Sequence, residues 1–168
     1  RLGGHANIEF TVMDLLELDL GGRQVDGVIS TATFHWITDH ARLFEQLHAI
    51  MRPGGQLVAQ CGGKGNIAKV LEQAYAVMAE PTWCAFFEGY VDPHRFADAP
   101  ETEILLGAAG FVEATCWLQA APVNPPEPPV FLNSVILGGA MERLPVERQD
   151  AFIAAVLARL PEPFEADY

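Results

Sequence analysis

The sequence predicts an α/β fold, a parallel sheet flanked by helices, and three observations carry that prediction. Residues 26–60 read as an apolar strand, a polar shelf, an amphipathic helix, a Pro-Gly-Gly turn and a second apolar strand. A strand–helix–strand unit of that length brings its second strand back parallel to its first. Other strand-like and helix-like stretches lie on both sides of the unit, and alternation of this kind marks the α/β class. The 168 residues, half of them hydrophobic and 19% charged, suit one domain with a single sizeable core.

In chain order, Gly3-Gly4 reads as a helix exit. Residues 8–13 alternate Phe10 and Val12 with Glu9 and Thr11, which predicts a strand ending at Asp14. Residues 25–30 predict a second strand centred on Val28 and Ile29. Thr38 or Asp39 is placed to cap the next helix, whose inward face is Leu43, Leu47, Ile50 and Met51. Pro53 and Gly54-Gly55 predict its end, and residues 56–61 a third strand. A helix over 66–79 follows, with Ile67, Val70, Leu71, Ala74 and Met78 on one face. Residues 81–100 are aromatic and irregular. Pro100 fits the first turn of a helix that Gly110 ends, and residues 111–121 predict a fourth strand. The tract 122–129 holds five prolines and is extended, as a linker or the arm of a lid. Helices are expected over 130–141 and from Leu144-Pro145 onward. The expected division is a core over 1–121 and a Pro-rich connection with a helical cap over 122–168.

Net charge is −12, so nucleic-acid phosphate and anionic lipid are poor partners. The three cysteines, Cys61, Cys84 and Cys116, are odd in number and widely spaced. That favours free thiols in a reducing cytoplasm over a disulfide framework or a zinc site. No apolar stretch approaches the ~20 residues of a membrane helix, and no charged-then-apolar leader opens the chain. Arg1 is not Met, and the sequence reads as truncated.

Ligands of parallel sheets lie across the carboxyl ends of the strands. Asp14 ends the first predicted strand and can accept a hydrogen bond from an exocyclic amine, or can be a turn residue. Ser30, Thr31 and Ala32 end the second; their small side chains admit a ligand to the backbone, or form a capping shelf. His35 and Trp36 follow at the expected mouth and suit a substrate wall, though a lone histidine or tryptophan more often packs. Asp92, His94 and Arg95 form a polar cluster that suits a general base, a carboxylate clamp or a plain surface loop. Gly63-Lys64-Gly65-Asn66-Ile67-Ala68 matches G-x-G-x-x-A after a strand, a dinucleotide-binding alternative. Glu88 has the spacing of the required acid, but residues 83–90 do not read as a strand, so a flexible turn is the plainer reading. No metal site is expected, because His35 and His40 would point apart on a helix. No G-x-S-x-G elbow is present.

Asp14-Leu15, Val25-Asp26-Gly27-Val28-Ile29-Ser30, Arg52-Pro53-Gly54-Gly55 and the L-L-G-A-A-G-F run over 105–111 together resemble class I S-adenosylmethionine-dependent methyltransferases. Residues 35–40 and the late helices are most similar to the trans-aconitate methyltransferase-like branch. The resemblance implies a partial Rossmann-like sheet lacking its first two strands and its last. It implies S-adenosyl-L-methionine as cofactor, with Asp14, Leu15, Ser30, Thr31 and Ala32 on its adenine side. It implies a small-molecule acceptor walled by His35, Trp36, Trp83 and Tyr90. Segments 8–13 and 25–30 would then be separated by two strands that the sequence does not hold. Their open edges imply weak activity for the chain alone, or pairing with a second copy or another protein as an interaction module.

Overall fold

A computed structural model describes residues 7–168. The Gly3-Gly4 helix exit lies outside the described residues. The centre of the fold is one parallel pair, β1 (Val25–Thr31) and β2 (Met51–Gln60), joined by α1 (His40–Ala49). Val28 stands opposite Leu57, Ile29 opposite Val58, Ser30 opposite Ala59 and Thr31 opposite Gln60. The crossover is the one the sequence predicts, with Asp39 accepting from the Arg42 N–H at 3.0 Å to cap α1.

The helix stops earlier than expected. Met51 belongs to β2 rather than α1, and Pro53-Gly54-Gly55 lies inside the strand. Val25 faces Met51 while Gly27 faces Gln56, so residues 52–55 bulge out of the ladder. A side chain at Gly55 would stand 3.0 Å from the carbonyl oxygens of Arg52 and Asp26, which explains the glycine. Arg52 closes the bulge on Asp26 at 2.6 Å.

Two predicted strands are absent. Residues 8–13 form no strand, and Val12 is fully exposed. Residues 111–121 form no ladder either. Alternation specifies which face of a strand is buried, but a strand also requires a neighbour's N–H and C=O groups. No described residue offers either segment that partner.

Two apolar clusters hold the fold. In the first, Val28 and Leu57 face α1 and meet Phe34, Leu43, Phe44 and Leu47, with α3 (Ala99–Ala108) contributing Leu106. Leu15 and Leu16, from a short 3-10 turn over Leu15–Glu17, close this cluster. In the second, α2 (Ala68–Met78) packs with Trp83, Phe87 and the late helices. Those are α4 (Pro128–Phe131), α5 (Gly138–Met141) and α6 (Val146–Leu157). The helix expected over 130–141 is broken. A π-turn over Leu132–Ile136, closed by Leu137 N–H on the Leu132 carbonyl at 2.8 Å, leads into Gly138-Gly139. The Pro-rich tract, expected to be extended over 122–129, bridges Ala166 through Val123 but bends at residues 126–127 and enters α4 with Pro128-Pro129, since proline is tolerated in a helix's first turn.

Candidate functional site

The carboxyl ends of β1 and β2 form a shelf. Ala32, just past β1, takes a left-handed backbone (φ +51°), and its N–H bonds the Gln60 carbonyl at 2.8 Å. A non-glycine residue held there is strained, which is common at ligand sites. The Thr33 hydroxyl bonds back to the Thr31 carbonyl at 2.9 Å, turning the chain into a 3-10 turn over Phe34–Trp36. Phe34 points into the core, while His35 and Trp36 point along the shelf.

His35 is locked by β2. The Gly62 N–H donates to His35 Nδ1 at 3.0 Å, so the ring's proton sits on Nε2. Burial, with the nearby His94 second, pushes the His35 imidazole below its ordinary value. His94 lies against Trp36 at 4.2 Å between ring centres and stacks on Phe96 at 5.2 Å. Its side chain is only 5% exposed. Its Nδ1 meets the Asp92 carboxylate at 2.7 Å. Burial works to raise the Asp92 carboxyl, but donors from His94 and Tyr75 outweigh it and hold Asp92 below the usual carboxylate range. A carboxylate on the Nδ1 side of an imidazole, with Nε2 turned away from it, is an arrangement used in general-base catalysis. The Tyr75 hydroxyl donates to the other Asp92 oxygen at 2.5 Å.

Three of the expected residues therefore meet one another or a partner here: Ala32, His35 and Trp36, with Ser30 and Thr31 at the β1 end beneath them. Asp14 is spent in part on its own chain, since its Oδ1 accepts from the Leu16 N–H at 2.8 Å. Leu15 reaches the same cluster as Phe34, and Arg42 of α1 donates to the Leu16 carbonyl at 2.8 Å, tying this turn to the shelf's underside. Trp83 is a core residue, 5% exposed, edge-on to Phe152 at 5.3 Å with the Arg148 guanidinium over its ring at 4.9 Å. Its faces are spent on packing, which sets it apart from the shelf. Tyr90 lies half-buried beside Phe87 and lines a separate cleft with Tyr75 and Asp92.

The Asp92–His94 pair stands closer to chemistry than any other polar pair at the shelf. Its signal in the sequence is Asp92-Pro93-His94. Aspartate before proline favours a side-chain turn, and Asp92 does accept the His94 N–H at 2.8 Å. Tyr75, on α2, carried no such signal.

An adenosine-bearing cofactor fits this shelf on one side. The described hydrogen bonds leave the Ser30 and Thr31 hydroxyls and the second Asp14 oxygen available, and the strained Ala32 backbone presents no bulk. The two glycines of the dinucleotide alternative differ: a Cβ at Gly63 would stand 2.5 Å from a Leu118 methyl, whereas one at Gly65 (φ +90°) would meet nothing within 4 Å. What counts against a pyrophosphate is the α2 N-terminus, which is taken: Asp167 accepts from the Ile67 N–H through its carbonyl at 2.8 Å and from the Lys69 N–H through its carboxylate at 3.1 Å. Among the described residues no group of three or more His, Cys, Asp or Glu side chains is arranged to hold a metal ion. No helix among them is long and apolar enough to cross a membrane.

Residues 1–59 match the methyltransferase domain family. The chain is 30% identical over 137 residues to malonyl-[acyl-carrier protein] O-methyltransferase of Geobacter sulfurreducens, covering 80% of this chain and 49% of that protein. It is 29% identical over 77 residues to malonyl-[acyl-carrier protein] O-methyltransferase 2 of Ilyobacter polytropus, 46% of this chain and 29% of that one. It is also 29% identical over 101 residues to the mitochondrial arginine-hydroxylase NDUFAF5 of Mus musculus, 60% of this chain and 28% of that protein. The chain thus spans half the length, or less, of the curated relatives it matches. Its partial α/β fold agrees with the match of residues 1–59 to that domain family, whose proteins take their methyl group from S-adenosylmethionine.

Proposed function

We propose that this chain forms the acceptor-facing side of a methyltransferase that acts on a small molecule. The observation that carries the reading is the meeting of His35, Trp36 and the Asp92–His94 pair at the carboxyl ends of a parallel β1–α1–β2 unit. When bound, S-adenosylmethionine supplies an electrophilic methyl group on a sulfonium centre. On the adenine side, Asp14 accepts from an exocyclic amine, Leu15 gives an apolar contact, and Ser30 and Thr31 offer hydroxyls beside the Ala32 backbone. His35 and Trp36 wall the acceptor. Nε2 of His94 takes the proton of an acceptor hydroxyl while Asp92 holds the ring, and Trp36 with Phe96 keeps water from it. Two relatives are named as O-methyltransferases, which supports an oxygen acceptor. The trans-aconitate-like branch would put a small carboxylic acid there, which needs no base. A methylation assay with small acids against small alcohols therefore separates the two acceptor classes. The segment 122–168 serves as the cap, and the three free thiols suit a cytoplasmic setting.

The test is a nuclear magnetic resonance titration of the chain with S-adenosylmethionine. Since the shelf is open to solvent, binding is expected to be weak, with shifts at Asp14, Ser30, Thr31 and His35 only at high cofactor concentration. Shifts confined to other residues would sink the site, and tight micromolar binding by calorimetry would contradict its one-sidedness. A second reading, an interaction module that pairs with a copy of itself through open strand edges, draws on one observation: Ile29 is 83% and Val58 61% exposed on one sheet face.

A further inference from the structure

We propose that the cleft between α2 and residues 84–92 binds a small organic cation, specifically an alkylated ammonium group. The cleft holds about 380 Å³ and is lined by Tyr75, Met78, Cys84, Phe87, Tyr90 and Asp92. Its volume lies in the range of small-molecule sites, roughly 300–1,000 Å³. Three of the seven lining side chains are aromatic rings and one is a thioether; the seventh residue is Ala79. Phe87 and Tyr90 meet edge to face at 5.9 Å and 77°, which fixes their relative orientation. Among the described residues no lysine or arginine lines the cleft, so none of them neutralises Asp92 from its wall with a full positive charge.

The chemistry selects against the other ligand classes. An anion would meet the Asp92 carboxylate with no basic partner. A strongly hydrated ion such as sodium would have to exchange its water for ring faces and one carboxylate already holding two donors, Tyr75 and His94. An alkylated ammonium is weakly hydrated, carries apolar methyl groups for Met78 and Phe87, and is attracted by the negative faces of aromatic rings. Both phenols stay protonated, because burial first and the Asp92 charge second push Tyr75 and Tyr90 above the ordinary phenol value. The Asp92 field therefore reaches both hydroxyls at the cleft wall. This site stands independently of methyl transfer at the shelf. Asp92 links the two physically, turning one oxygen to His94 and the other to Tyr75.

Cys84, exposed in the cleft wall, supplies the readout. Its rate of modification by a neutral thiol reagent is followed on the whole chain by peptide mass spectrometry, which separates it from Cys61 and Cys116. The probes are choline chloride, neohexyl alcohol (its uncharged isostere) and sodium chloride. Choline is expected to slow Cys84 saturably, by about threefold or more, while the alcohol and the salt leave the rate unchanged. Asp92→Asn is expected to raise the half-saturating choline concentration about tenfold. Because that variant also loosens His94 and Tyr75, Tyr90→Leu is the second: it keeps apolar volume and leaves Asp92 in place, and choline should lose its advantage over the alcohol. Equal protection by the alcohol, no protection by choline, or an undiminished choline preference in Tyr90→Leu would each overturn the proposal.

Discussion

Gly62 and Gly63 are neighbours with different reasons to be glycine. A Cβ on Gly62 meets Asn66 Nδ2 and the Phe96 ring, both at 2.7 Å, and Phe96 is itself stacked on His94. A Cβ on Gly63 clashes with a methyl of Leu118, a half-exposed side chain free to turn away, and touches the Ala97 carbonyl at an ordinary 3.4 Å. Gly62→Ala should therefore cost about 1–3 kcal/mol in urea unfolding, and Gly63→Ala distinctly less; the reverse order would show that the Phe96–His94 stack yields easily. The imidazoles give a second residue-scale expectation. His40 is buried with Nε2 on the Phe34 carbonyl at 3.0 Å and Nδ1 without a partner. Burial is the main cause that pushes both His40 and His35 below the ordinary value. The groups around His40 are Arg95, which opposes its charge, and Glu101 and Asp39, which favour it. The unfolded chain takes up these protons below pH about 6.5 while the folded chain resists, so stability is complete above that pH and falls as pH drops beneath it. Each group adds a slope of at most about 1.4 kcal/mol per pH unit. Unfolding midpoints at pH 7.5 and 5.5 check this, and His40→Gln should flatten part of the fall. A midpoint that holds or rises on acidification would contradict the assignment.

The α2 helix shows what a local reading of elements misses. Its first residue follows Ile67, which is left-handed (φ +49°) and offers no side-chain cap. The cap comes from the other end of the chain, where Asp167 binds the Ile67 and Lys69 N–H groups. Asp167→Ala should cost about 0.5–2 kcal/mol and loosen residues 161–168, seen as faster amide exchange at Ile67 and Lys69; unchanged exchange would assign the capping elsewhere. No periodicity reveals a partner 98 residues away. By contrast α1 was legible because Asp39, Leu43 and Leu47 all act within one helix. The bounds of β2 were not, because the bulge at Pro53-Gly54-Gly55 looks like a helix stop when read alone. The segments 8–13 and 111–121 have strand-like alternation, yet a ladder depends on a neighbour that alternation cannot supply. The shelf was legible through Ser30, Thr31, His35 and Trp36, which follow one strand. The Asp92–His94 pair was only half so, since Asp92-Pro93-His94 fixes the pair but its seat against Trp36 is tertiary.

At the scale of the whole molecule, the described residues cover the sheet on one side only. Val28 and Leu57 are partly buried in the cluster with α1, while their neighbours Ile29 and Val58, opposite each other in the ladder, stand in water. A parallel sheet is normally covered on both faces, so this open face is the surface most able to associate. The net charge of −12 acts the other way by repelling like copies. The balance depends on salt: at physiological ionic strength exposed charges are screened beyond about 8 Å, whereas apolar contact is not weakened. Sedimentation should therefore show more self-association as salt rises. The double variant Ile29→Thr with Val58→Thr should abolish that rise and lower binding of a hydrophobic dye. It should leave the unfolding midpoint nearly unchanged, since each side chain is already exposed and each change is worth within about 0.5 kcal/mol. A large loss of stability in the double variant would mean that the face is covered in solution by the chain itself. Association that persists in the variant would place the contact on the strand edges instead, where backbone N–H and C=O groups pair regardless of side chain.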